Sequence, residues 1–202
     1  MVKTYKYASI LLVIICFACI NDVKNKKDMT APENNMHKKK EVVYQVITRL
    51  FGNTNTTNKP WGTIEENGVG KFVDFTDKAL KEIKDLGVTY IWYTGVPHHD
   101  VIRDYTKFGI SNDDPDVVKG RAGSPYAVKD YYNVNPDLAE NPANRLKEFK
   151  ALIERSHKAK LKVIIDIVPN HVARNYHSIS NPIGVEDFGA SDDKSVVYDV
   201  NN

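Results

Sequence analysis

The stretch Leu161 to His171 reads LKVIIDIVPNH, and the fold is decided there. Its first eight residues are almost continuously apolar, the pattern of a strand covered on both faces in a parallel sheet. Asp166 interrupts that run, and Asn170 and His171 close it. A carboxylate inside an apolar strand is tolerated only when it is paired or hydrogen-bonded. A built polar environment is therefore expected at the strand's exit.

Working outward, the chain alternates between two periodicities. Residues 142–159, PANRLKEFKALIERSHKA, place Leu146, Phe149, Leu152 and Ile153 along one helical face, with Pro142 suited to the first turn after Asn141. Before it, Val88 to Val96 (VTYIWYTGV) is strand-like. Phe75 to Gly87 (FTDKALKEIKDLG) spaces Ala79, Leu80, Ile83 and Leu86 helically, between Thr76 as N-cap and Gly87 as stop. Glu41 to Leu50 (EVVYQVITRL) is compact and β-branched enough for a buried strand, while 53–70 and the Gly-, Asp- and Pro-rich run from Val96 to Pro142 read as loops.

Strand, helix, strand, helix, strand predicts an α/β fold with parallel strands joined by crossovers. An open doubly wound sheet and a (β/α)8 barrel both fit. No G-x-G-x-x-G follows a strand, and Gly62 to Gly70 (GTIEENGVG) lacks both the spacing and the ending of a P-loop. In either fold, functional groups gather at the carboxyl ends of the strands. Thr94 to His99, Asn170 and His171 fall there.

The first forty residues differ from the rest. Lys3 and Lys6 precede the apolar run Ala8 to Ala18 (ASILLVIICFA), which ends on a small residue followed by Cys19. That layout predicts a secretion signal over residues 1–19, too short to span a membrane. Cys19 sits where a lipoprotein signal places its acylated cysteine, although Cys16 occupies a position where Leu, Val or Ile is usual; a plain signal peptide, or an anchor with two incidental cysteines, is the other reading. An exported protein held to a membrane by a lipid is expected, with residues 20–40 as a disordered tether. Both cysteines lie in this leader, which leaves no thiol for a disulfide, a zinc site or a nucleophile in the remainder. The net charge of +2 also belongs to the leader and tether, since positions 41–202 hold 20 basic against 23 acidic residues. That balance argues against nucleic acid as a partner.

The segment DIVPNH resembles the motif that closes the third barrel strand in the alpha-amylase family, glycoside hydrolase family thirteen. Three further stretches agree in order and spacing: VVYQVITRLF with the first strand, LGVTYIWYTGVPHH with the second and its exit loop, and residues 123–172 with the run into the third. The resemblance implies that 41–171 form about three βα units, the N-terminal portion of a (β/α)8 barrel. Residues 172–202 resemble the start of the small domain B that the family inserts after the third strand.

What the resemblance implies for individual residues follows by position. Asp166 supports the catalytic cluster. His171 binds a sugar hydroxyl next to the cleaved bond. Asn170 gives its carbonyl oxygen to a structural calcium, a hard ligand suited to that ion. Tyr126, four residues before Asp130, is the sugar-stacking aromatic, whose face suits the C–H side of a pyranose. His98 and His99, after the second strand, help to line the cleft. The implied substrate is an alpha-glucan oligo- or polysaccharide, acted on by hydrolysis or transglycosylation.

Cleavage with retention needs two carboxyl groups roughly 5 Å apart, and the family draws them from later strands than these. The 202 residues are therefore expected to be the N-terminal part of a longer enzyme and inactive alone. A noncatalytic glycan-binding lipoprotein is the alternative from another class. A metal-dependent hydrolase using His98, His99, Asp166, His171 and His177 is a third, against which adjacent histidines project differently from a strand-borne His-x-His pair.

Overall fold

The computed structural model describes residues 40–191. The signal over 1–19 with Cys19, nearly all of the tether, and residues 192–202 of the segment expected to open domain B lie outside the described residues. The elements run β1 (Val43–Ile47), α1 (Ile64–Asn67), α2 (Asp77–Asp85), β2 (Tyr90–Thr94), β3 (Pro97–His99), β4 (Val128–Val134), α3 (Arg145–Lys158) and β5 (Lys162–Ile165), with short 3-10 turns between some of them.

β1, β2 and β5 form one parallel sheet with β2 in the centre. Parallel neighbours need long crossovers, and α2 and α3 supply them. α2 begins as its sequence demands: Thr76 accepts a hydrogen bond from the Ala79 amide, and Gly87 follows the helix at φ 86°, a conformation that favours glycine. α3 is preceded by a 3-10 turn over Pro142–Asn144, where the Asn141 side chain accepts from the Ala143 amide.

Side chains of a strand alternate between two faces, and this sheet uses its faces differently. On the helix side, Ile91 and Tyr93 are wholly buried with Phe72, Phe75, Leu80, Ile83, Phe149 and Leu152, joined by Tyr44, Val46 and Val163 from the flanking strands. Phe75 stacks on Phe51 with centroids 4.1 Å apart and meets the Tyr93 ring edge-on at 4.9 Å. The Ser156 hydroxyl donates to the Leu152 carbonyl at 2.8 Å, so the Tyr93 hydroxyl donates to Ser156 Oγ at 2.7 Å. Burial pushes the Tyr93 phenol up to about 12, which keeps it a donor at any ordinary pH. Arg155 of α3 donates from Nη2 to the Phe72 carbonyl and from Nε to the Phe75 carbonyl, at 2.7 and 3.2 Å, tying the turn before α2 to α3.

The other face departs from expectation. β1 is not a buried strand: Val43 and Ile47 are about half exposed, at 50% and 49%. They share a face with Gln45 and Trp92, and the described residues place no second layer over it. Two residues of the expected helical stripes also turn outward. Leu86 caps the C-terminus of α2 and is exposed, and Leu146, in the first turn of α3, is exposed as well.

The run between Val96 and Pro142, expected to be loop, contains an antiparallel pair. β3 pairs with β4, His98 opposite Asp130 and His99 opposite Val128, with irregular register between them. Its partners lie some thirty residues apart in sequence, so neither a hairpin turn nor a helical period announces it. Gly123 closes the excursion between them. A Cβ there would meet the Asp100 carbonyl oxygen at 1.7 Å, and φ is 69°.

Phe75→Ala should lower the free energy of unfolding by about 3–5 kcal/mol, read from urea denaturation, whereas Leu86→Ala should change it by less than about 0.5 kcal/mol. Similar losses in both variants would contradict this assignment of the core.

Candidate functional site

The ends of β2 and β5 bring the expected polar group together. The parallel register sets Trp92 opposite Ile164, so Asp166, two residues on, emerges on the same face one step further along. The Trp92 indole N–H donates to Asp166 Oδ1, and the backbone N–H of Gly95 donates to Oδ2 at 3.2 Å. Beside them, Gln45 Nε2 donates to Thr94 Oγ1 at 3.0 Å. Asp166 is half-buried rather than enclosed, and it lies just past the strand's last residue. Its two oxygens are thus held by one side chain and one backbone amide, both from β2 and its exit.

An open groove of about 620 Å³ runs past this carboxylate and is also lined by Asn170, His171, Tyr131, Tyr132 and Phe188. His171 and Asn170 are exposed at its edge. The loop that carries them is pinned from β4, because the Tyr131 hydroxyl donates to the Val168 carbonyl. Tyr131 in turn packs against Tyr176 and Phe188, with centroids 5.9 and 6.1 Å away. Phe188 belongs to a segment docked on β4: the Ala173 amide donates to the Val128 carbonyl and the His177 amide to the Lys129 carbonyl, at 2.8 and 3.0 Å. Asp187 organises that segment. It accepts from the Ser178 amide at 3.0 Å and lies 2.7 Å from His177 Nδ1, and these contacts, the Ser178 amide foremost, hold its carboxyl below the usual range.

The groove assembles Asp166, Asn170 and His171, and the remaining expected site residues lie elsewhere. Tyr126 is exposed, in the turn before β4, and does not line the groove. Asp130 is buried and serves backbone amides, accepting from Tyr132 N at 2.9 Å and Ile179 N at 3.2 Å. His98 and His99, expected to line the cleft, are each only 2% exposed. The antiparallel pairing of β3 turns both rings into the protein, away from this groove. His99 faces the carbonyl oxygens of Pro97 and Ala122 at 3.2 and 3.0 Å, whereas both ring nitrogens of His98 are buried without a hydrogen-bond partner.

The sequence alone does not single out Tyr131, which lines the groove, or Trp92, which holds the groove's carboxylate. Trp92 had a weak signal, as an indole with a donor to place inside an apolar strand. Tyr131 had none, because its role depends on β4 lying beside the loop after β5.

Asn170 alone does not make a calcium site, which takes six or more oxygens as a rule. Among the described residues, no group of three or more His, Cys, Asp or Glu is placed to hold a metal ion. That bears on the metal-hydrolase reading as well, since His98 and His99 are buried while His171 is exposed. Asp166 is the one carboxylate among the residues that line the groove.

Parallel strands with functional groups at their carboxyl ends are common to open α/β sheets and barrels, and the sequence decides between them. The family profile described as "Alpha amylase, catalytic domain" matches residues 45–192, and the chain belongs to the alpha-amylase family. It is 27% identical over 141 residues to a trehalose-6-phosphate hydrolase of Bacillus subtilis (strain 168), covering 68% of this chain and 18% of that protein. To a cyclomaltodextrin glucanotransferase of Geobacillus stearothermophilus it is 29% identical over 143 residues, covering 66% and 18%. Among solved structures, an alpha-amylase from Lactobacillus plantarum matches 67% of this chain and 24% of its own, with 30% identity and a TM-score of 0.45. The matched region is thus about a fifth of the length of these curated relatives. Among the described residues, no helix is long and apolar enough to cross a membrane.

The buried imidazoles carry a pH dependence. Burial, with the Lys129 charge nearby, pushes His98 down to about 3, and burial lowers His99 as well. An unfolded histidine titrates near 6.5, so between those values the unfolded chain binds the extra proton. The stability that the neutral ring supplies is present above about 6.5 and lost as pH falls toward 3. Asp100 acts in the opposite sense: burial and the neighbouring Asp113 raise its carboxyl, and its contribution is lost as pH rises. His98→Gln should flatten the fall in Tm between about pH 6.5 and 4, measured by thermal melts across that range. An unchanged acid slope would show that His98 is solvated.

Proposed function

We propose that these residues form the sugar-facing wall of an alpha-glucan-acting, retaining glycosidase or transglycosidase of the alpha-amylase family. The observation that carries this reading is the groove in which Asp166, held by Trp92 and Gly95, lies beside His171. A carboxylate fixed from two sides cannot rotate away, and an exposed imidazole next to it can exchange hydrogen bonds with a sugar hydroxyl. Tyr126 offers an exposed ring for stacking on a pyranose face.

Asp166 is a positioning residue in this reading, because one carboxylate cannot be both nucleophile and acid across a glycosidic bond. The acid pair is supplied from outside the described residues. Asn170 gives one oxygen to a calcium that ties the loop after β5 to the inserted domain, and a drop in Tm on chelation checks that contact. Residues 172–191 form the base of that domain, docked on β4.

In a longer protein that carries the acid pair, His171→Ala and Tyr126→Ala should each lower kcat/KM on a maltooligosaccharide by roughly tenfold, the size of one lost hydrogen bond or stacking contact in the transition state. Unchanged kinetics in both would remove the sugar-site assignment. The 202 residues alone should release no nitrophenol from a nitrophenyl maltooligosaccharide above the buffer rate; cleavage by them would place the acid pair within this chain. Binding without cleavage by the longer protein would favour a glycan-binding lipoprotein instead.

The location proposed is a membrane surface after export, through an acyl chain on Cys19. Mass spectrometry of the membrane-extracted protein should show a lipid-modified N-terminus at that residue. An unmodified terminus elsewhere would rule it out.

A further inference from the structure

A second hollow, of about 270 Å³, lies between the loop after β1 and the excursion after β3, and it shares no lining residue with the groove at Asp166. Three guanidinium groups line it, those of Arg49, Arg103 and Arg121, against two carboxylates, Glu65 and Asp137. The wall therefore carries one cation more than its acids balance.

How each charge is used shows where the excess sits. Arg103 Nη2 pairs with Glu65 Oε1 at 2.8 Å. Asp137 is buried, and its Oδ1 accepts from the Tyr105 hydroxyl at 2.6 Å. Its Oδ2 is 3.7 Å from Arg49 Nη1, which is ion-pair distance but too long for a hydrogen bond, and that Nη1 is buried with no hydrogen-bond partner. Arg121 donates from Nε to the Trp61 carbonyl at 2.7 Å, and among the described residues no carboxylate lies within ion-pair distance of it.

A buried guanidinium N–H without an acceptor is costly to leave in place. A planar guanidinium fork matches the oxygens of an oxyanion two at a time. We propose that this hollow binds a small oxyanion, a phosphate or the phosphate group of a monoester, with Arg121 as the unbalanced charge beside the Arg103 and Arg49 side chains of the same wall. The volume exceeds what a halide would fill and leaves room for the organic part of an ester. The site uses loops on the carboxyl side of the sheet, where this fold class keeps its ligand contacts, but none of the residues assigned to the sugar.

Isothermal titration of the protein with inorganic phosphate and, separately, with glycerol phosphate tests the assignment, against sodium chloride at matched ionic strength. Saturable binding of either is expected. Equal affinities would mean that the phosphate group alone is recognised, and tighter glycerol phosphate binding that the remaining space takes the ester. Arg121→Gln, a change at an exposed side chain, should weaken binding by roughly tenfold, the loss of one charge-assisted hydrogen bond. Arg103→Gln serves as a second variant, with circular dichroism confirming that both fold. No saturable heat beyond that of chloride would overturn the proposal, and so would wild-type affinity in both variants.

Discussion

The central strand sets the terms for everything around it. β2 is hydrogen-bonded on both edges, to β1 and β5 in parallel register, and its residues alternate between two incompatible duties. Ile91 and Tyr93 fill the core beneath α2 and α3, while Trp92 and Thr94 present polar groups to the opposite face. One residue of slippage would exchange the two sets, burying an indole and a threonine among phenylalanines and exposing Tyr93. The hydrogen bond from Trp92 to Asp166 therefore exists only in the register that also completes the core. Packing energy and site geometry are specified by the same alignment.

Tyr93 reinforces that register from below. Its ring is held edge-on by Phe75, and its hydroxyl is committed to Ser156 within α3. An aromatic side chain with a fixed ring and a fixed polar end leaves β2 little freedom to slide or tilt relative to the helix. The carboxylate on the opposite face of the sheet inherits that rigidity through Trp92 and Gly95. A positioning acid needs this, because a group free to rotate spends its interaction on ordering itself.

The excursion after β3 is built on different physics. Instead of a large apolar core it encloses charge: Lys129 pairs with Asp113 at almost no exposure, Asp113 also accepts from the Val101 amide and from Asn175, and Asp100 lies alongside. Such pairs hold shape more than they add stability, since desolvation offsets much of their attraction. The small cluster of Val101, Tyr105 and Ile110 supplies the apolar part. This region carries both the buried histidines and one wall of the arginine-lined hollow. Its form follows from which charges can be partnered rather than from hydrophobic periodicity.

That difference explains what could be read in advance. The parallel strands and the two crossover helices were legible in their apolar runs and helical stripes, as in LKVIIDIV and in Phe149 and Leu152, although the run around β5 is not covered on both faces as its sequence suggests, Ile165 and Ile167 being 38% and 71% exposed. Asp166 was legible as well, since an acid in an apolar strand requires a partner, and the family motif around it was specific. The capped turn over Ile64–Asn67 also has a sequence signature, Thr63 followed by Glu66, inside a segment whose Asn, Thr and Gly content otherwise indicates loop. The antiparallel pair of β3 and β4, the burial of His98 and His99, and the part played by Tyr131 had no local signature. Each depends on residues brought together from far apart in the chain, and a sequence records the side chains available for such a contact without recording which of them will meet.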